Sequence, residues 1–294
     1  MAYLAWLIAY GLLAGAVYAL VALAFVVVHK ASRAINFAVG EWVMFGALLT
    51  AAALHVLALP LAPALVLAGF GVTAFAWAFS RLVLRRMTGR SLMAMIMLTL
   101  GLGAFMRGLG PMIFSGIPNA IVLPLPEDPV PFAGLSLPPE RLAAAAIALA
   151  CVGAVAWFYR ATRTGLALRA IALSPATARG LGIDVDRHVA IAWGLAGLVA
   201  LAAGVLWSAV SGGGFGTALV GLKVFPIVVI GGLNSIPGCI LGAMLIGVAE
   251  SLASGYLDRL AGSGVSVVVS SALLLLMLWL RPHGFFGAPL ATRI

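Results

Sequence analysis

The chain is 294 residues long, and 64% of its residues are hydrophobic while only 9% are charged. Soluble domains carry about 25% charged residues, so this composition excludes a soluble domain and predicts a polytopic membrane protein. The net charge of +9 comes from cations that cluster beside apolar runs, which is typical of cytoplasmic loops and argues against nucleic acid as a partner.

Apolar runs of about 20 residues recur along the chain, and each can cross about 30 Å of hydrocarbon as a helix. They predict one all-α transmembrane domain over residues 1–294, a helix bundle in the lipid bilayer. The first run lacks a basic segment before it and is too long for a signal-peptide core, so we place the N-terminus outside. Nine crossings then put the C-terminus and every cationic loop in the cytoplasm. The predicted spans are 3–28, 35–56, 61–83, 91–114, 141–159, 189–210, 215–233, 238–256 and 263–281.

Two of these spans are interrupted by glycine, asparagine or charge, namely 35–56 and 215–233. Eight full spans are therefore the alternative to nine.

Four charged residues fall inside the predicted spans and away from their ends. A charge at the bilayer centre costs about 2.5–3.5 kcal/mol, so such residues usually face a bundle interior or a cavity. Glu41 and Arg107 lie about 9–10 Å from a span end and can reach an interface. Lys223 and Glu250 occupy neighbouring spans and are predicted to meet in the outer half. They are either a structural ion pair or partners for the carboxylate and amine of a zwitterionic substrate.

The longest predicted outer loop, residues 115–140, contains seven prolines. Such a stretch favours extended structure over helix. It is either a stiff connector or a contact surface for an outer partner.

Glycine marks the segment Ser211–Lys223, where four of six consecutive residues are glycine. A lipid-facing helix cannot form there, so we predict that Gly213 and Gly214 lie at an outer mouth or along a translocation pathway. A flexible outer loop is the alternative. Elsewhere, three glycine pairs have the small-xxx-small spacing of closely packed helices. They are Gly11/Gly15, Gly212/Gly216 and Gly238/Gly242.

The longest polar interruption is the loop 160–188, which carries five arginines. Ser174 is a good N-cap, Pro175 suits the first helical position, and Gly180 or Gly182 suits the end. The pattern predicts a short capped helix in a basic loop between two spans. A surface of this kind is suited to being held by another protein.

Motifs for chemistry are absent from the sequence. It has no G-x-x-x-x-G-K-[ST], H-E-x-x-H or G-x-S-x-G, and its histidines are scattered. We therefore expect no catalytic site, no metal site and no bound cofactor. If transport consumes ATP, the hydrolysing subunit is a separate polypeptide that docks on the loop 160–188.

Three ordered blocks, at 11–47, 163–193 and 221–257, resemble the permease subunits of Liv-type branched-chain amino acid ABC importers of bacteria. The first contains a G-x-x-x-G-x-x-Y-A-L opening and then INFAVGE, the second contains RTGLALRAIALSPATARGLGI, and the third contains GLKVFPIVVIGGLNSIPG. The sequence departs from the family at Val39, where histidine is common, and at Asn234, where glycine is common. These departures leave the cargo open.

The resemblance implies a transport subunit in the bacterial inner membrane, with no catalysis of its own. Its implied partners are a homologous second permease subunit, two cytoplasmic ATPases that hold ATP and magnesium, and a periplasmic binding protein. The implied coupling helix comprises Ser174, Pro175, Ala176, Thr177, Ala178, Arg179, Gly180, Leu181 and Gly182. The pathway candidates are Asn36, Glu41, Gly213, Gly214, Lys223 and Glu250.

Other functions stay open at this point. An ABC permease for a urea-like amide, an aromatic acid or a sugar fits the same fold, and an ion-coupled secondary transporter would need no ATPase. A membrane enzyme would need a catalytic cluster. Within the coupling helix, Ala178→Asp or Gly182→Asp is predicted to leave folding intact and abolish ATP-driven uptake.

Overall fold

The computed structural model of the chain describes residues 2–87, 90–126, 128–132, 135–258, 262, 264–281 and 284–286. Residues 127, 133 and 134 of the predicted loop 115–140, and residue 263 of the last predicted span, lie outside the described residues.

The described residues form an α-helical bundle with one small hairpin. The helices are α1 (Ala2–Ser32), α2 (Val39–His55), α3 (Leu61–Phe79), α4 (Leu92–Phe114), α5 (Pro139–Ala161), α6 (Arg163–Leu173), α7 (Pro175–Gly180), α8 (Val185–Ser211), α9 (Val220–Gly231), α10 (Ile236–Leu252) and α11 (Val265–Leu280). A π-helical turn, Ser80–Leu84, and the turn Arg85–Met87 extend α3, the π-helical turn Ala253–Leu257 extends α10, and a 3-10 turn, Phe215–Leu219, precedes α9. In the hairpin, β1 (Val130–Phe132) and β2 (Leu135–Leu137) pair antiparallel with Val130 opposite Leu137.

Six helical stretches among the described residues are long and apolar enough to cross a membrane. They are Tyr3–Ser32, Leu61–Met87, Leu92–Phe114, Pro139–Ala161, Val185–Ser211 and Ile236–Leu257. Three shorter apolar helices, Val39–His55, Phe215–Gly231 and Val268–Leu280, correspond to the remaining predicted spans. The all-α polytopic fold is confirmed. Both spans that the sequence marks as interrupted are short helices, and so is α11, whose 16 residues reach only about 24 Å.

The cationic segments gather at one end of the bundle. Arg33 Nη2 donates hydrogen bonds to the carbonyls of Ala172 and Leu173 at 3.1 and 3.2 Å, and Arg85 Nε lies 3.5 Å from Asp186 Oδ2. We call the end that carries Arg33 and Arg85 the basic end. The loop after α2 lies at the opposite end, where His55 Nε2 is 2.9 Å from the carbonyl of Ala120.

Helix starts follow local capping chemistry. A side-chain oxygen accepts a hydrogen bond from a backbone N–H of the first helical turn at the starts of α4, α6, α7, α8 and α10. This contact satisfies a donor that the helix itself leaves free. The capping residues are Ser91, Thr162, Ser174, Asp184 and Ser235.

Helix α1 is the centre of the bundle. Every residue of 16–28 is buried, as expected of a helix that is apolar on all sides. Its glycines permit backbone contact with α10, since a Cβ atom on Gly11 would lie 2.6 Å from Val248 Cα. Gly238 likewise faces the backbone of Gly231, so two of the three predicted small-residue pairs make close helix contacts. The third pair, Gly212/Gly216, has open space beside both residues.

The loop 160–188 contains two helices where the sequence predicts one. Helix α7 occupies the predicted position, but α6 precedes it as a separate helix of 11 residues. The buried face of α6 comprises Gly165, Ala167, Leu168 and Ile171. So short a helix is marginal in isolation and depends on this burial, which the sequence pattern alone does not reveal.

Candidate functional site

Lys223 of α9 and Glu250 of α10 form an ion pair inside the bundle. The ammonium Nζ lies 2.7 Å from Glu250 Oε2, and only 7% of Glu250 is exposed. The predicted contact between the two residues is therefore confirmed. They meet because α9 and α10 are consecutive, closely packed helices joined by the short connection 232–235.

Two hydroxyl groups complete the surroundings of the Glu250 carboxylate. Tyr18 of α1 donates a hydrogen bond to Oε2 at 2.7 Å, and Ser270 of α11 donates to Oε1 at 2.5 Å. Lys223 also donates to the Tyr18 hydroxyl at 2.8 Å. Four helices thus converge on one buried carboxylate, and three donors compensate its charge. Neither Tyr18 nor Ser270 was predicted as a site residue, although Tyr18 is the tyrosine of the first resembling block.

A cavity of about 220 Å³ lies above this cluster, on the side away from the basic end. Tyr18 and Glu250 form its floor, and Trp207 stacks on Tyr18 with ring centroids 5.7 Å apart. Leu13, Ala14, Val17 and Val210 form an aliphatic wall. Serine hydroxyls line the rest of the cavity, from Ser211, Ser251, Ser254 and Ser266.

Arg141, in the first turn of α5, also lines the cavity. Its guanidinium carbon lies 4.0 Å from the ring centroid of Tyr10, a cation–π contact. Among the described residues, the guanidinium has no salt bridge and no side-chain hydrogen bond. Arg141 was not predicted as a site residue either. One signal for it was present in the sequence, because a cation at this end of the bundle breaks the pattern of basic cytoplasmic loops.

Glu41 and Arg107 form a second ion pair, between α2 and α4. The Glu41 side chain is 4% exposed and the Arg107 side chain 64% exposed, so a buried carboxylate is compensated by a cation at the bundle surface. The sequence predicts that both residues reach an interface. That interpretation is wrong for Glu41, which is buried and paired.

The remaining pathway candidates have local partners. Asn36 is buried, and its Oδ1 accepts a hydrogen bond from the backbone N–H of Ala38 at 3.1 Å, just before α2 begins. Gly213 and Gly214 lie against Asn119 of the proline-rich loop, and Gly213 leaves no room for a side chain there. Gly214 has φ +109°, which favours glycine. These contacts describe a packed turn at the end opposite the basic end.

Helix α7 is anchored on one face and free on the other. Ala178 is 2% exposed and packs with Ile171 and Val185, while Leu173 and Leu181 on either side of the helix are 82% and 74% exposed. The burial of Ala178 contradicts the prediction that Ala178→Asp leaves folding intact, because the carboxylate would enter an apolar cluster. Asp186 Oδ1 lies 3.8 Å from Arg179 Nη2, an exposed ion pair between α7 and α8.

The two departures from the resembling family occupy different environments. Val39 is buried in the core, where its side chain faces Gly221. Asn234 lies at the basic end, where its Oδ1 is 2.9 Å from His29 Nδ1 and its carbonyl accepts from Lys30 at 3.3 Å. Neither residue lines the cavity above Glu250.

Comparisons with known proteins give the family. The family described as "Branched-chain amino acid transport system / permease component" matches residues 7–278. The chain belongs to this family. It is 30% identical to the high-affinity branched-chain amino acid transport system permease protein LivH of Salmonella typhimurium, over 97% of this chain and 96% of the relative. Its identity is 29% to LivH of Escherichia coli K12 and 28% to BraD of Pseudomonas aeruginosa, with the same coverage. No solved structure matches the chain.

Membership of this permease family agrees with a multi-pass bundle of apolar helices. The chain is a permease subunit of an ABC importer, and the resemblance seen in the three sequence blocks is confirmed over nearly the whole chain.

Proposed function

We propose that this permease subunit imports branched-chain amino acids, or related small amino acids, across the bacterial inner membrane. In this proposal it pairs with a homologous second permease subunit and receives its cargo from a periplasmic binding protein. Two cytoplasmic ATPases hold ATP and magnesium, so this chain binds no cofactor and catalyses no reaction. The names of its relatives support the cargo class.

The observation that carries the proposal is helix α7, with its anchored and free faces. Leu173 and Leu181 stand exposed in a polar loop at the basic end, and exposed apolar residues outside a membrane span favour a protein contact. Ala178 joins the same helix to the start of α8. A partner that holds Ser174–Gly182 therefore has a mechanical connection to the membrane bundle, as rigid-body coupling to an ATPase requires.

Within the bundle, we propose Lys223 and Glu250 as pathway residues, because they lie at and below the floor of the cavity. Four further residues remain pathway candidates because their contacts hold α2 and the turn before α9 in place. They are Asn36, Glu41, Gly213 and Gly214. Their local hydrogen bonds and close contacts support a structural part in the pathway.

The test is ATP-driven uptake of radiolabelled leucine into proteoliposomes that hold the whole importer, with its binding protein supplied. Leu181→Asp places a charge on the free face of the coupling helix without entering the Ala178 cluster. We expect uptake to fall at least about tenfold, because one buried unpaired charge at an interface costs more than 1.4 kcal/mol.

The matched control is Leu57→Asp, which makes the same change at an exposed leucine in the loop at the opposite end. We expect Leu57→Asp to take up leucine like the unmodified importer and to have the same thermal stability as Leu181→Asp. Full uptake in the Leu181→Asp importer would show that α7 is not the docking helix. Failure of the unmodified importer to take up leucine would reject the cargo.

A further inference from the structure

Arg141 and the cavity above Glu250 carry an inference that rests on the proposed function and deepens it. We propose that this cavity is a binding site for one aliphatic α-amino acid. Arg141 binds the carboxylate, the free side of the Glu250 carboxylate binds the ammonium, and the wall formed by Leu13, Ala14, Val17 and Val210 holds the side chain.

Arg141 is a cation of the cavity that has no acidic partner among the described residues. Lys223 is already occupied, since it donates to both Glu250 and Tyr18, and it does not line the cavity. Arg141 faces the cavity without an acid partner among the described residues, and the adjacent Glu140 forms no salt bridge with it. A guanidinium offers a planar pair of donors that matches a carboxylate.

Its position in the first turn of α5 strengthens the argument. A cation at a helix N-terminus is disfavoured by the helix dipole, which adds positive potential beside the guanidinium. Arg141 and Tyr18 line the same cavity. An anionic group entering the cavity would compensate the charge of the guanidinium.

Glu250 supplies the opposite charge below. A carboxylate has about four acceptor positions, and the structure fills three of them, two on Oε2 and one on Oε1. The remaining position on Oε1 can accept an ammonium hydrogen. Trp207 lines the same cavity, and an aromatic ring there also favours a cation.

Size and lining favour a small cargo that has both an apolar and a charged part. The volume of about 220 Å³ is below the roughly 300–1,000 Å³ of pockets for drug-sized ligands, so it suits a single small metabolite. The four aliphatic side chains sit on one side, on α1 and α8, and the charged groups come from α5 and α10. This separation of apolar and charged surface matches a hydrocarbon side chain attached to a zwitterionic centre.

The test uses protection from labelling. Ser254 is exposed at the cavity, so Ser254→Cys provides a thiol whose reaction with a maleimide can be timed in the full chain reconstituted with its partners in lipid. The protein that keeps Ser254 is treated with the maleimide in the same way, and it reports the background labelling of Cys151 and Cys239. We expect leucine to slow the labelling, and leucinamide, which lacks the carboxylate, to protect poorly. Isoamylamine should protect no better than leucinamide.

In the Ser254→Cys background, Arg141→Gln should raise the leucine concentration for half-protection by about 10- to 100-fold, the range of one lost charge-assisted hydrogen-bond pair. Arg141→Lys should restore part of the affinity. The matched control is Arg86→Gln, which removes an exposed arginine at the basic end. It should leave protection unchanged.

Equal protection by leucine and leucinamide, or unchanged protection in Arg141→Gln, would overturn the site. These outcomes differ from failure of the proposed function. If the importer takes up leucine but leucine does not protect Ser254→Cys from labelling, the proposed site is wrong and the proposed function stands. If leucine protects Ser254→Cys but ATP-driven uptake is absent, the proposed function is wrong and the site stands.

Discussion

Replacing Lys223 by methionine would leave the Glu250 carboxylate buried without its cation. The two hydrogen bonds from Tyr18 and Ser270 remain, at 2.7 and 2.5 Å, but they come from neutral groups. Removing one partner of a buried ion pair costs about 3–5 kcal/mol. Because the two hydroxyl donors persist and a cavity adjoins the carboxylate, we expect the lower end, about 3 kcal/mol of unfolding free energy.

Removing both charges gives the decisive comparison. In Lys223→Met combined with Glu250→Gln, no unpaired charge is left, and such double replacements are often neutral or stabilising. We therefore expect the double variant to be more stable than Lys223→Met alone, with a coupling energy of about 2 kcal/mol in the double-mutant cycle.

The measurement is denaturant-induced unfolding of the full chain in detergent micelles, followed by tryptophan fluorescence, for the four proteins of the cycle. Arg86→Met is the control, because it removes an exposed arginine by the same kind of substitution. A loss below about 1 kcal/mol for Lys223→Met would match an exposed pair and refute the buried-pair reasoning. Additive effects of the two substitutions would refute it as well.

Three further substitutions test the packing and capping contacts. Gly40→Ala would place a methyl group against the backbone carbonyl of Ala218, so it should lower the unfolding free energy by about 1–3 kcal/mol, measured by the same unfolding assay. Ser174→Ala removes the cap of α7 and should cost that helix about 1 kcal/mol, seen as faster amide hydrogen exchange within α7 and little change in global unfolding. Arg107→Gln should cost about 1–3 kcal/mol, since it leaves buried Glu41 without a cation, and Glu41→Gln in the same chain should recover stability; no recovery would contradict the pairing.

The bundle was predictable because span length and apolar runs follow directly from bilayer thickness. The predicted span 141–159 and the observed helix Pro139–Ala161 differ by two residues at each end. The bounds of the short helices were harder to predict. The span predicted at 35–56 begins as helix only at Val39, because Asn36 turns the chain through a side-chain hydrogen bond to Ala38 before the helix starts.

The site was predictable only where its partners lie on consecutive helices. Lys223 and Glu250 fall in adjacent spans, so their depth in the membrane was enough to predict the contact. Tyr18 lies 232 residues from Glu250 in the sequence, and Ser270 reaches the same carboxylate from another helix. No periodicity brings such residues together, because their meeting depends on how α1, α10 and α11 pack.

Helix α8 links the two functional regions of the bundle. It begins at Val185, which packs with Ala178 of α7, and after 27 residues, about 40 Å, it ends beside the cavity with Trp207 and Val210. Gly204 of α8 touches the backbone of α2, so the two helices lie too close to slide independently. Closely packed interfaces move as units between discrete arrangements, because they resist continuous deformation. A displacement of α7 should therefore reach the cavity as a tilt of α8 together with α2, which moves Trp207 and Val210 relative to Glu250 on α10.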